Sequence, residues 1–147
     1  MAAFRFRLAR ALDWYRQQCE IEESRLASCI ALLDEAMGRI ARLEAERYAV
    51  DREMLLRSSV NGSDVAALGR YRLGAEQTAA RLERERAQRR EAVNQQQARA
   101  KAARRKLTLI EKLRERRLAE HLQAQERELE TLAAESFLAK WPGSAAG

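Results

Sequence analysis

Few side chains in this sequence could do chemistry, and their spacing suits contact between proteins better than catalysis. The single histidine, His121, follows Glu120, and no cysteine lies near it. A zinc helix of the H-E-x-x-H type needs two histidines one turn apart. No metal is therefore expected, and His121 reads as a solvated surface residue. The six glycines form no G-x-x-x-x-G-K pattern, so there is no loop whose N–H groups could cradle nucleotide phosphates. No serine or cysteine has a base and an orienting acid at a plausible spacing. The chain is expected to be no enzyme, with no catalytic residue and no cofactor. Cys19 and Cys29 are ten residues apart, about 15 Å on one helix, too far to bond to each other. They read as reduced residues of an apolar seam.

Charge is the second chemical resource. Residues 1–63 hold ten basic and ten acidic residues, and the net +6 of the whole chain comes from residues 64–147. No acid lies between Glu91 and Glu111, where Arg99, Lys101, Arg104, Arg105 and Lys106 cluster. Downstream, Glu120, Glu126, Glu128, Glu130 and Glu135 outnumber Arg127. A basic middle followed by an acidic stretch predicts a directional electrostatic contact. Three readings of the basic cluster stand side by side: a solvated helix face, a surface for an acidic protein, and a nucleic-acid site. The last lacks the aromatics or recognisable module that nucleic acid usually requires, so no nucleic-acid partner is expected.

These residues must be positioned by long helices. Charged residues make up 34% of the chain, aromatics 5%, and there is one proline, Pro142. That composition fits coiled coils rather than a thick globular core. A heptad ladder runs through Leu8, Leu12, Tyr15, Cys19, Glu22, Leu26, Cys29, Leu33, Ala36, Ile40, Leu43, Arg47, Val50 and Met54. Its alternating steps of three and four predict a first helix over about 8–57.

Ser58 to Asp64 breaks the pattern, and a turn is expected over about 58–64. Asn61-Gly62 is expected to take the left-handed conformation, with Ser63 or Asp64 capping the next helix. A second ladder, from Leu68 through Ala75, Leu82, Gln96 and Ala100 to Leu107 and Ile110, predicts a second helix over about 65–140. Gly69 and Gly74 are expected to loosen its start, and residues 142–147 to be a disordered tail. So short a connection makes the helices antiparallel. The fold class is all-α: a single antiparallel two-helix coiled-coil hairpin with a longer second helix.

The unequal lengths have a consequence. Folded back on the first helix, the second overhangs by its last 25 or so residues. From Leu113 its apolar stripe changes phase, to Leu118, Leu122, Leu129, Leu132 and Phe137. A stripe with no partner in the chain predicts an external one, unless Phe4 and Phe6 cover it. Near the turn, Tyr48 and Tyr71 either close the seam or form a docking patch with Leu43, Ala67 and Leu68. No apolar run is long enough to cross a membrane, and Met1 to Leu12 has no apolar signal core, so a cytoplasmic location is expected.

Three stretches together resemble the FliJ family of bacterial flagellar type III export proteins. They are Phe4-Arg5-Phe6-Arg7-Leu8 followed by Leu12, then Leu109 to Arg117 with Glu111-Lys112-Leu113 at its centre, then Glu128-Leu129-Glu130-Thr131-Leu132-Ala133. The resemblance spans about residues 4–138. It implies an antiparallel coiled coil similar to the rotary stalk of F-type ATPases. That stalk would enter the export ATPase hexamer, bind the cytoplasmic domain of the export gate and escort export chaperones. The protein would then sit in the cytoplasm, peripheral to the inner-membrane export apparatus through the gate. The gate contact would lie near Tyr48 and Tyr71. The ring-entering end would use Phe4, Phe6 and Leu8 with the late second helix. An injectisome stalk shares this architecture, and a structural scaffold without a motor partner is the alternative from another class.

Overall fold

A computed structural model describes residues 2–141, so the tail expected over 142–147 lies outside the described residues. Two helices account for nearly all of it: α1, Ala9–Leu56, and α2, Gly62–Ala139. The protein is an all-α helical hairpin with a longer second helix. It divides into two compact units. The turn unit is Glu20–Ala102, and the terminal unit joins the chain up to Cys19 with the chain from Ala103 onward. Among the described residues, no helix is long and apolar enough to cross a membrane.

In the turn unit the heptad positions face inward. Ala36, Ala75, Leu82, Gln96 and Ala100 are buried. Leu26, Leu33, Ile40, Val50 and Met54 of α1 and Leu68, Tyr71 and Val93 of α2 are half-buried. Small side chains at many of these layers let the two backbones approach, and longer ones close the gaps. Ion pairs across the seam record the antiparallel register: Arg72 with Asp51 at 2.9 Å and Arg39 with Glu85 at 3.0 Å.

The turn is tighter than expected. α2 starts at Gly62, and Asn61 rather than Ser63 or Asp64 is its cap. The Asn61 side-chain oxygen accepts from the Asp64 N–H at 2.9 Å, and the Asp64 carboxylate accepts from the Asn61 N–H at 3.2 Å. This reciprocal box satisfies two amide donors that a helix start leaves free. Asp64 also lies favourably in the first turn of α2 and pairs with Arg57 at 3.3 Å. No described residue, Gly62 included, has positive φ. The capping box closes the turn, and a left-handed glycine is not needed. α2 likewise runs unbroken through Gly69 and Gly74, where a Cβ would meet nothing within 4 Å.

In the terminal unit, Leu12, Cys19 and Leu107 form the core, with Phe6, Tyr15, Ala103 and Ile110 packed around them. Leu8 is exposed rather than part of the seam. It precedes α1, in a turn where the Ala9 N–H donates to the Phe6 carbonyl at 3.1 Å. Past Ala139 the chain closes with the Lys140 N–H on the Phe137 carbonyl and the Trp141 N–H on the Leu138 carbonyl, both at 3.2 Å.

Candidate functional site

The terminal unit is built around an extended arm, Ala2 to Leu8, laid along α2. Phe6 drops into the Leu12–Cys19–Leu107 core. Phe4 lies 5.5 Å from the His121 ring at a tilt of 51°, and the Arg114 guanidinium stands 5.9 Å from the Phe4 centroid. Ring–ring and cation–π contacts of this kind hold an aromatic without a deep pocket. The Gln125 amide then donates to the Ala2 carbonyl at 3.3 Å. Between arm and helix lies an open cleft of about 1190 Å³, bounded by Ala2 to Leu8 with Leu113, Arg117, Glu120 and His121.

These contacts correct one expectation. His121 is half-buried against Phe4, not a solvated surface residue. The inward face of α2 after Leu107 continues through Ile110, Leu113, Leu118, His121 and Gln125, so the covered face includes polar side chains. Leu122, Leu129, Leu132 and Phe137 are exposed, Leu132 by 60%, although Leu129 and Leu132 follow Gln125 by four and seven residues and so continue its face. Of the expected stripe, only Leu118 is half-buried. Every described residue from Glu126 on is exposed. Phe137 and Trp141 stack on each other at 5.6 Å with both rings in solvent. Alternating steps of three and four carried past Ile110 reach His121, but give Arg114, Arg117 and Ala124 where the structure half-buries Leu113, Leu118 and Gln125.

Of the basic cluster, Arg99 and Lys101 are exposed in the turn unit, and Arg104, Arg105 and Lys106 in the terminal unit. Further on, Arg117 pairs with Glu120 at 3.5 Å.

The aromatic patch near the turn does not assemble. Tyr71 faces the seam and lines a shallow groove with Val50, Met54, Ala67 and Leu68. Tyr48 is 69% exposed and is not among the groove residues. One position off the heptad rung at Arg47 turns it outward. Leu43 and Leu68 are half-buried seam residues. The Tyr71 hydroxyl oxygen is sealed without a hydrogen-bond partner among the described residues. Burial raises its pKa above the ordinary tyrosine value of 10.0, with smaller contributions from Glu46 and Asp51 and an opposing one from Arg47.

Among the described residues, no three His, Cys, Asp or Glu side chains converge to hold a metal ion. Cys19 is buried and Cys29 half-buried, and neither is in a disulfide. What the sites offer is contact: an aromatic arm, a basic stretch of helix and an exposed apolar helix end edged with glutamates. In comparisons with known proteins, no family model, no curated protein and no solved structure matches the chain.

Proposed function

We propose that this chain is a stalk-type, partner-binding hairpin of the flagellar type III protein export apparatus. It engages the export ATPase ring through its terminal unit, binds the cytoplasmic domain of the export gate near the turn, and escorts export chaperones. It does no chemistry of its own. It works in the cytoplasm, reaching the inner membrane only through the gate. The observation that supports this most is the end of α2. Leu122, Leu129, Leu132 and Phe137 are exposed there, in the same unit as the arm that carries Phe4 and Phe6. Contiguous exposed apolar side chains on a helix fit a groove supplied by another protein. The resemblance of residues 4–138 to the FliJ family supplies the identity of that partner.

The test is co-purification with a flagellar export ATPase and stimulation of its ATP hydrolysis. A chain cut after Gln125 keeps every contact of the arm and should lose stimulation while remaining helical. Charge reversal at Arg104, Arg105 and Lys106 should weaken the association, more so at low salt. Stimulation of an injectisome ATPase alone would move the chain to that branch. No association with either would leave a scaffold and overturn the stalk assignment.

A further inference from the structure

α2 reverses its charge inside the terminal unit. Residues 103–119 carry seven basic side chains against Glu111 and Glu115. Residues 120–139 carry five glutamates against Arg127. Both stretches lie on one unbroken helix, so they cannot meet within one copy. Each also presents apolar surface. The acidic stretch exposes Leu122, Leu129, Leu132 and Phe137, and the basic stretch exposes Leu109, by 67%.

We propose that the acidic end of α2 pairs, antiparallel, with the basic stretch of α2 in a second copy of this chain. A two-fold axis near Glu120 sets each acidic stretch against the other copy's basic stretch, so the favourable juxtaposition occurs twice. A parallel pairing would align acid with acid and base with base, and is disfavoured by the same charges. The pairing covers leucines that neither α1 nor the arm covers, which is the driving force for closing it. Charge sets the direction and the leucines supply the cohesion. This contact does not depend on the export assignment; where an ATPase is present, it competes for the same helix end.

The experiment is sedimentation velocity on the full chain at tens of micromolar, in low and high salt. The expected result is a dimer that dissociates as salt rises. Glu126→Lys with Glu130→Lys, and separately Arg105→Glu with Lys112→Glu, should each weaken self-association at least about tenfold. All four positions are outside the buried core, and circular dichroism checks that helicity is kept. Mixing the two variants should restore a dimer, because each then carries the charge the other lacks. A wild-type chain that stays monomeric in low salt overturns the proposal. So does a dimer indifferent to both charge reversals, or association that requires added nucleic acid.

Discussion

Gln96 faces Glu22 across the seam of the turn unit, and its side-chain amide donates to both the carboxylate and the backbone carbonyl of Glu22, the latter at 3.1 Å. Gln96 is buried, and the Glu22 carboxylate also accepts from Arg25 at 3.1 Å. A polar rung of this kind is satisfied only in one register, so it specifies alignment at some cost in stability. Gln96→Leu alone leaves the half-buried carboxylate with Arg25 as its partner and without the amide across the seam, and should lower stability by about 1–3 kcal/mol in urea unfolding. Leucine at both positions should recover that loss or exceed it. The double variant should also form slipped or higher-order species that the native chain avoids, visible by sedimentation. If single and double variants unfold at the same urea concentration, the pair does not act as a unit.

Tyr71 makes the hairpin sensitive to alkali. Its raised pKa means that the folded state keeps a proton the unfolded state releases. The associated stability is therefore complete below pH 10.0 and falls as pH rises through the folded value. Tyr71→Phe removes a sealed hydroxyl that has no hydrogen-bond partner among the described residues. It should melt higher than wild type at pH 8, and the gap should widen above pH 10. A lower melting temperature would mean that the hydroxyl is satisfied after all.

The acid side depends on Arg39, which bridges Glu35 at 2.7 Å and Glu85 at 3.0 Å. Its hydrogen bond and charge hold Glu35 below the ordinary carboxylate value of 4.5. A depressed folded pKa gives stability that is present above 4.5 and lost as pH falls through the lowered value. Glu35→Gln should accordingly narrow the difference in melting temperature between pH 7 and pH 3. An unchanged difference would assign the acid response to other carboxylates.

Interior and surface leucines of the terminal unit should separate cleanly. Leu107 is 4% exposed, and Leu107→Ala should cost about 2–4 kcal/mol. Leu129 is 48% exposed, and Leu129→Ala should stay within about 0.5 kcal/mol. Thermal unfolding of both variants at low protein concentration, where copies do not associate, measures the contrast.

The arm should loosen independently of the helices. Phe4→Ala removes the ring that His121 and Arg114 hold, and His121→Ala removes one of its two supports. In either variant, amide exchange over residues 3–8 should speed up while that of α1 and α2 in the core stays slow. Unchanged exchange in the arm would mean that Phe6 and Gln125 suffice to hold it.

The hairpin was legible in the sequence because burial on a helix follows a count. Ala36, Leu82 and Leu107 fall on the heptad rungs that alternating steps of three and four pick out. The two unlike polar rungs, Glu22 and Gln96, read as blemishes in separate ladders. Only register, a property of the pair, shows that they answer each other. The late α2 was legible in part. The exposure of Leu122, Leu129 and Leu132 follows from the overhang, but the half-burial of His121 and Gln125 depends on the arm, whose course no helical count gives. Phe4 was legible only as a residue beside the late second helix; its partners His121 and Arg114 were not, because an extended arm has no helical period to read. At the turn, Asn61 and Asp64 three residues apart form a recognisable box, and the glycine between them obscured it.

The alanine layers at Ala36, Ala75 and Ala100 have a mechanical corollary. Each contributes little more than a methyl group, on the order of 1 kcal/mol, so no single rung dominates the grip between the strands of the turn unit. A tug on such a zipper is resisted in small, nearly equal increments, and it reseals from wherever the parting stops.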